Sequence, residues 1–272
     1  MFRNDPGRCV PTPGIHGKLA GICNRKRALE TTPHSHTPEG IRERLRSKTN
    51  HSYLRDFVYG GIDGAVTTFA VVSGVAGAEL SSGIVVVLGL ANLLGDGFSM
   101  AAGNYLGSKA DLQLLDAART MEEKHIERYP DGEREEVRQI FEAKGFKGDD
   151  LERVVDVITA NRALWVDTML QEELGLALDR PNPMRAAVVT FASFLVIGIL
   201  PLIVFLFDYF APLQYPFAYS SVVTLAAFFV VGAVKARFVP QKWYLAGLET
   251  VFVGGIAAAL AYAVGMALKS VL

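Results

Sequence analysis

Five apolar segments, each long enough to cross a lipid bilayer, set the architecture of this chain. A membrane-spanning helix needs about 20 mostly apolar residues. The sequence meets that requirement in five places, near residues 57–78, 84–106, 187–207, 217–234 and 244–268. A single segment of this kind is compatible with a buried helix of a soluble protein, but five together favour a membrane protein. We therefore predict an all-α membrane protein with five transmembrane helices and a three-helix cytoplasmic insert between the second and third.

The polar stretch between the second and third segments divides the chain into four parts. Its charged residues exclude it from the hydrocarbon region of a bilayer, where every polar group must be satisfied internally. We predict a mostly disordered basic N-terminal tail at 1–52, a transmembrane hairpin at 53–108, an acidic cytoplasmic insert at 109–184 and three further transmembrane helices at 185–272.

Basic residues outside the apolar segments indicate the orientation of the chain, because short cytoplasmic loops carry an excess of Lys and Arg. These residues outnumber Asp and Glu before residue 57, and Lys235, Arg237 and Lys242 occupy the loop between the fourth and fifth segments. The turn at 79–83 and the loop at 208–216 contain neither Lys nor Arg. The pattern predicts a cytoplasmic N-terminus and insert, with the C-terminus on the opposite side.

The N-terminal tail offers weak metal-binding signals. Cys9 and Cys23 have no spacing typical of a metal site, and a disulfide between them is disfavoured in the cytoplasm. His34 and His36 are a possible ligand pair, but a His pair in a disordered segment rarely binds metal specifically. The tail lacks the apolar core of a signal peptide. Its basic charge favours anionic lipid headgroups, although a role in orienting the chain is the simpler interpretation.

The first two apolar segments carry acidic side chains at membrane depth. A charged carboxylate there costs roughly 2.5–3.5 kcal/mol, so it usually faces a pathway or a partner. Asp63 lies near the start of the first segment, and Asn92, Asp96 and Met100 share one face of the second because they are four residues apart. Oxygen ligands suit hard cations, while a thioether shifts the preference towards softer ions such as Fe(II). Together these residues predict a metal-ion pathway through the membrane.

The insert is predicted to form a small helical bundle, with helices near 109–129, 133–144 and 149–178. Four of its glutamates stand out as possible metal ligands. Glu133 and Glu136 share one side of the second helix, whereas Glu122 and Glu173 lie on the flanking helices. Spacing alone leaves open whether the four side chains converge.

Four short runs in the sequence are typical of one family of metal transporters. They are Arg55-Asp56-Phe57, Gly61-Ile62-Asp63-Gly64, the stretch from Ala91 to Gly107, and Glu172-Glu173-Leu174-Gly175-Leu176. On these runs, the chain from about 53 to 270 resembles the vacuolar iron transporter (VIT) family of Fe(II)/Mn(II) transporters. Five spans with an acidic insert after the second also match the plan of that family.

The resemblance implies a homodimer with a pathway between the two copies of the first and second helices. It also implies that the cytoplasmic bundle collects metal before transport. By position, Asp63 and Met100 would be the pathway ligands. The members of the cytoplasmic cluster would be Glu122, Glu133, Glu136, Met169 and Glu173.

The sequence departs from the family pattern at three positions. A pathway glutamate of plant and yeast members falls at Asn92, which keeps an oxygen and loses the charge. A cluster glutamate falls at His125, which still offers a nitrogen ligand, and a cluster methionine falls at Leu170, which offers none. Asp96, one turn from Asn92, would restore the missing charge, which is an inference from helix geometry and not a family rule.

These features predict a transporter that moves Fe(II) or Mn(II) out of the cytoplasm by proton antiport. A carboxylate in a low-dielectric pathway can exchange a metal ion for a proton, because its pKa rises when it is unpaired. Asp63 and Asp96 are the candidates for that exchange. The alternative is a membrane-bound metal sensor or storage protein without transport, which leaves the intramembrane Asp63 unexplained.

An enzyme is not predicted, because the sequence shows no nucleophile–base pair, phosphate-binding loop or His-rich pattern. Glu122 and His125 give one Glu-x-x-His spacing of the kind found in di-iron bundles, but no second copy follows. We expect no covalently bound cofactor and no nucleic-acid partner. The expected partners are membrane lipid, Fe2+ or Mn2+, and protons. The bacterial inner membrane is the first prediction for the location, with a vacuolar or other endomembrane as the alternative.

Overall fold

The computed structural model describes residues 37–47, 52–269 and 271, and within these residues the chain is helical without β-strands. The all-α prediction is therefore confirmed for the described part. The helices, in chain order, are α1 (Pro38–Ser47), α2 (Leu54–Gly77), α3 (Ser82–Arg128), α4 (Pro130–Ala143), α5 (Gly148–Thr159), α6 (Arg162–Glu172), α7 (Pro183–Gly198), α8 (Leu200–Phe210), α9 (Pro216–Lys235) and α10 (Trp243–Leu268).

Helix α1 lies within the N-terminal tail that the sequence predicts as mostly disordered, so this short part of the tail is helical. The backbone N–H of Gly40 donates to Oγ1 of Thr37 at 3.2 Å, which caps the helix. Glu39 in the first turn interacts favourably with the helix dipole. The candidate residues Cys9, Cys23, His34 and His36 lie outside the described residues.

Four described helices are long and apolar enough to cross a membrane, namely α2, α3, α9 and α10. Helices α7 and α8 qualify together as a fifth span, which is bent by 46°. The bend coincides with Pro201 in the first turn of α8. Proline has no N–H to donate and its ring clashes with the preceding turn. The Pro201 carbonyl instead accepts a hydrogen bond from Oγ of Ser220 at 2.7 Å.

Helix α2 is the centre of the membrane part, since it packs against α3, α7, α8, α9 and α10. Glycine makes its closest contacts possible. A Cβ atom on Gly60 would lie 2.6 Å from the carbonyl oxygen of Thr190, and one on Gly64 would lie 2.5 Å from that of Phe194. Beyond Gly64, towards the C-terminal end of α2, buried apolar side chains form a core. Its members come from α2, α3, α8, α9 and α10: Ala65, Phe69, Val72, Val75, Val85, Leu202, Phe205, Phe228 and Ala258. The side chains of α2 are thereby held in fixed positions.

The insert starts on the continuation of α3, which runs without interruption from the second apolar segment to Arg128, as predicted. The third insert helix predicted at 149–178 is wrong, because two shorter helices, α5 and α6, stand in its place. The break is stabilised by Asn161, whose Oδ1 accepts a hydrogen bond from the N–H of Leu164 at 3.2 Å and so begins α6. Helix α6 ends at Glu172, shortly before Gly175 with a φ of 65°.

A separate apolar core holds the insert together. Its fully buried members come from α4, α5 and α6: Val137, Val155, Val166, Met169 and Leu170. Ion pairs surround this core and join the helices on the surface, including Arg162–Glu127 at 2.6 Å and Arg119–Asp167. The insert is thus a bundle with its own core, attached to the membrane part through α3.

The contact between α2 and α7 yields a stability prediction. Gly64→Ala should lower the apparent melting temperature of the detergent-solubilised protein, because the added methyl meets the Phe194 backbone, which cannot rotate away. Overpacking of this kind costs about 1–3 kcal/mol, which exceeds the ~1 kcal/mol gain in helix propensity. Gly255→Ala in α10 is the matched control, since no atom lies within 4 Å of its added Cβ. Equal melting temperatures for the two variants, by intrinsic fluorescence, would contradict the packing.

Candidate metal cluster and membrane pathway

Three possible metal ligands converge at the join between α3 and α4. Glu122 and His125 are three residues apart on α3 and therefore share a face. The chain reverses at Tyr129 and Pro130, which brings Glu133 of α4 back against that face. One ligand atom from each of the three side chains lies within 4.8 Å of the other two. The His125 Nδ1 to Glu133 Oε1 distance is 3.5 Å.

The two carboxylates of this cluster are buried and incompletely satisfied. Glu122 is 2% exposed and Glu133 is 5% exposed. The Oε2 atom of each has no hydrogen-bond partner among the described residues. A buried carboxylate without partners is costly, and a bound cation would satisfy these oxygens. Carboxylate oxygen and imidazole nitrogen together suit divalent ions such as Fe(II) and Mn(II).

Burial and the negative charge of neighbouring glutamates raise the pKa values of three carboxyl groups in and around this cluster. Burial, with repulsion from Glu136 and Glu122, raises the pKa of Glu133 from 4.5 to about 7. Burial also raises the pKa of Glu122, with a further contribution from Glu173. Desolvation and the nearby Glu136 raise the pKa of Glu173. In each case His125 opposes the shift. All four predicted glutamates therefore interact in one electrostatic group.

The remaining predicted members of the cluster take different positions. Glu136 and Glu173 have exposed side chains at the edge of the group. Met169 is fully buried in the insert core, one turn before Glu173 on α6, and Leu170 is buried beside it. The structure brings Glu122, His125 and Glu133 together as a compact set. It leaves Met169 in an apolar environment.

The residues that the sequence predicts as pathway ligands lie on the neighbouring helices α2 and α3. Asp63 lies 15 residues before Ala78, which follows α2, and Asp96 lies 15 residues after Ser81, which precedes α3. Because the two helices form an antiparallel hairpin, the two carboxylates lie at the same depth. They are close enough to interact electrostatically. Both lie about 22 Å from the connecting turn, at 1.5 Å per helical residue. Two acidic groups are thus placed at one level inside the membrane segments.

The face of α3 that carries Asn92, Asp96 and Met100, called the α3 stripe below, is only partly covered by the rest of the chain. Asn92 and Met100 are half-buried, and Nδ2 of Asn92 has no hydrogen-bond partner among the described residues. Asp96 is exposed on the outer surface of the chain, near the middle of the apolar segment. A carboxylate exposed to lipid tails at this depth is strongly disfavoured. This face of α3 must therefore meet either water or another protein surface.

A cavity of about 620 Å³ opens beside Met100, at the end of the spans nearest the insert. Asp56, Asn104 and Asp111 line it with their polar side chains. Asn104 fixes one wall, because its Nδ2 donates to Asp56 Oδ1 at 3.1 Å and to Thr190 Oγ1 at 2.7 Å. This cavity, called the vestibule below, lies between the insert and the residues that the sequence predicts as a pathway.

Sequence reasoning did not assign Asp56, Asn104 and Asp111 to the pathway. For Asp56 a signal was present, because it precedes Asp63 by seven residues and so shares its helix face. For Asn104 the partners lie 48 and 86 residues away in the sequence, so the contact depends on how α2 and α7 pack against α3.

Comparison with known proteins identifies the same relatives that the motifs indicate. A model of the VIT family matches residues 54–266. A vacuolar iron transporter of Toxoplasma gondii is 34% identical over 259 residues, which cover 90% of this chain and 86% of that protein. Vacuolar iron transporter 1 of Oryza sativa subsp. japonica is 31% identical over 240 residues, or 87% of this chain and 91% of that protein. The vacuolar iron transporter of Plasmodium berghei is 30% identical over 245 residues, covering 87% and 90%.

The raised pKa of Glu133 predicts how the metal-free protein responds to pH. Between its ordinary pKa of 4.5 and about 7, the folded state holds a proton that the unfolded state has released. Folding stability therefore falls as pH rises through this window. In a chelator-treated sample, the apparent melting temperature of the insert transition should be higher at pH 5.5 than at pH 8. Glu133→Gln should reduce this difference and raise the melting temperature at pH 8.

Glu142→Gln is the matched control for that experiment. Glu142 is exposed on the same helix, so its replacement should leave the pH dependence unchanged. If Glu133→Gln and Glu142→Gln gave the same pH profile as the parent protein, the proposed burial of charge at Glu133 would be wrong.

Proposed function

The chain belongs to the VIT family, and from this membership we propose that it transports Fe(II) or Mn(II) out of the cytoplasm in exchange for protons. Its relatives carry the name vacuolar iron transporter, which supports metal-ion transport as the general activity. Those relatives are transporters and not enzymes, in agreement with the expected absence of catalysis.

The observation that carries the proposal is the pair of carboxylates, Asp63 and Asp96, at one depth inside the membrane segments. A protein that only binds metal needs ligands at its surface and has no use for acidic side chains in the bilayer, where they are costly. A transporter needs such groups, because a cation must exchange its hydration shell for protein ligands as it crosses.

We propose that transport starts at the cluster of Glu122, His125 and Glu133. With a pKa of about 7, the Glu133 carboxyl is partly protonated near neutral pH. A divalent cation that binds there displaces this proton, so capture of metal and release of a proton are coupled at one atom. Glu136 and Glu173 increase the local negative potential and attract cations to the cluster.

From the cluster the ion would move to the vestibule beside Met100 and then to Asp63. The vestibule offers carboxylate and amide oxygens from Asp56, Asn104 and Asp111. At Asp63 and Asp96, a proton arriving from the other side would replace the metal ion and release it. Protons moving inward would thereby drive metal outward.

We further propose that two copies of the chain pair through the exposed face of α3. The residues of this face that surround Asp96 are small: Gly95, Ser99, Gly103 and Gly107 are all exposed and spaced four apart. Small residues at this spacing allow two membrane helices to approach closely. A second copy would also remove Asp96 from lipid, so that the pathway would lie between the two protomers.

The proposed orientation places the N-terminus and the insert in the cytoplasm and the C-terminus on the opposite side, following the distribution of Lys and Arg. The names of the relatives favour a vacuolar or other endomembrane as the location. The bacterial inner membrane remains an untested prediction.

A metal sensor or storage protein is the second candidate function. The cluster of Glu122, His125 and Glu133 would serve it equally well. The two candidates differ in one measurable respect, since a sensor binds Fe(II) or Mn(II) without moving it across the membrane.

Flux through the reconstituted protein tests the proposal directly. Proteoliposomes with an outward-facing insert should accumulate Fe(II) or Mn(II), and an acidic lumen should accelerate uptake. Asp63→Asn should reduce the flux to that of protein-free liposomes, because the amide cannot exchange a metal ion for a proton. The variant should still bind metal at the insert. Asp149→Asn, an exposed position on α5, is the matched control and should transport normally.

The role of Asp96 can be tested separately by moving its charge. Asp96→Asn should lower the flux strongly, since the α3 stripe then carries no carboxylate. Adding Asn92→Glu to this variant should restore transport, because the new carboxylate lies one turn away on the same face. Asn92→Gln together with Asp96→Asn is the control that keeps the size and omits the charge. Full activity of Asp96→Asn alone would contradict the assignment.

A further inference from the structure

A second cavity lies between α2, α9 and α10, and no part of the proposed transport mechanism uses it. Its volume is about 380 Å³. Its walls are mostly apolar, with charged groups from the ends of α2, α9 and α10: Arg55, Val58, Tyr59, Ile62, Lys235, Phe238, Val239, Glu249, Thr250 and Val253. The charged ends lie on the same side of the membrane as the insert, because α2 starts there and α9 ends there.

The charged end of this cavity carries more positive than negative charge. The Arg55 guanidinium lies over the ring of Tyr59 at 5.5 Å, and no described carboxylate forms an ion pair with it. Lys235 is paired with Glu249, but the Nζ to Oε2 distance is 3.4 Å. Arg55 also lines the vestibule with Asp56 and Asp111, so it lies between the two cavities. Among the residues that line the second cavity, two cations face a single carboxylate, and this net positive charge can hold an anionic group.

The rest of the cavity is suited to a hydrocarbon chain. Val58 and Ile62 form the wall on α2, and Val253 forms the wall on α10. From Arg55 to Ile62 the wall extends about 10 Å along the helix axis. Phe238, Val239 and Val253 are themselves exposed, so the cavity is open at its side. In a membrane this side faces lipid.

An occupant must therefore combine an anionic head with an apolar tail and must enter from the bilayer. A phospholipid with a net negative headgroup meets all three requirements, and basic pockets between membrane helices on the cytoplasmic side commonly bind such lipids. We propose that this cavity binds one anionic phospholipid per chain. Its phosphate lies between Arg55 and Lys235, and one acyl chain lies along Val58, Ile62 and Val253.

Binding of the lipid would bridge α2 and α10 at the membrane surface. Ile62 precedes Asp63 directly, so the acyl chain contacts the turn of α2 that carries this carboxylate. Binding should therefore stabilise the position of that turn, and the lipid should raise the melting temperature of the protein whether or not the proposed direction of transport is correct.

The test uses the purified full-length protein in detergent, with dioleoyl-phosphatidylglycerol as the probe and dioleoyl-phosphatidylcholine as the zwitterionic comparison. Native mass spectrometry should show one retained phosphatidylglycerol per chain, and this lipid should raise the apparent melting temperature more than phosphatidylcholine does. Arg55→Gln and Lys235→Gln should each weaken retention roughly fivefold, the expected effect of one basic residue near a lipid headgroup. Arg237→Gln is the matched control, since Arg237 is exposed in the same region and does not line the cavity.

A second pair of variants tests the apolar part while all charges stay in place. Val253→Trp fills the cavity and should abolish selective retention of phosphatidylglycerol. Val264→Trp is its control, because Val264 lies on the same helix outside the cavity and is 58% exposed, against 55% for Val253. Glycerol 3-phosphate, which has the anionic head without the chain, should give no stabilisation.

Three results would overturn the proposal. They are equal retention of the two lipids by the parent protein, equal behaviour of Val253→Trp and Val264→Trp, and stabilisation by glycerol 3-phosphate as large as that by phosphatidylglycerol. None of these results depends on metal flux, so failure here is distinguishable from failure of the proposed transport function.

Discussion

The close approach of α2 to α7 is the contact on which the membrane part depends. Gly60 and Gly64 lie against the backbone of Thr190 and Phe194, so the two helices approach more closely than a Cβ atom at either glycine would allow. Asp63 lies between these glycines in the sequence, and its position relative to α3 follows from that contact. The hydrogen bonds of Asn104 to Asp56 and Thr190 tie α3 to the same pair of helices. Helix packing and the placement of the acidic groups therefore have a common origin.

Much of this arrangement follows from the sequence, because each part of it depends on local periodicity. The apolar segments predict the spans, and the absence of proline between Ser82 and Arg128 is compatible with the continuous α3. The candidate cluster was predictable as a set of residue types, since Glu122 and His125 share a face and Glu133 follows the turn at Pro130. Its burial was not predictable, because it depends on how α4 folds back on α3.

The errors in the sequence-based predictions also have local causes. The helix predicted at 149–178 contains apolar residues at helical spacing throughout, but the side chain of Asn161 caps a new helix in its middle. The bend of the third span coincides with Pro201, which lacks an N–H and whose ring clashes with the preceding turn. The lipid-facing cavity gives no sequence signal, since Arg55, Lys235 and Val253 come from three helices that are distant in the chain.

The unbroken length of α3 has a mechanical consequence. Glu122 and Asp96 belong to one helix and are separated by about 39 Å along its axis, at 1.5 Å per residue. A continuous helix resists bending, so it acts as a lever with the bundle on its long arm. A tilt of roughly 5° about Gly95 would displace the Glu122 end of the helix by about 3.5 Å. If the bundle rearranged around a captured ion, α3 would tilt as one rigid helix. The part of α3 inside the membrane would then move together with the bundle, without a chain of side-chain rearrangements between them.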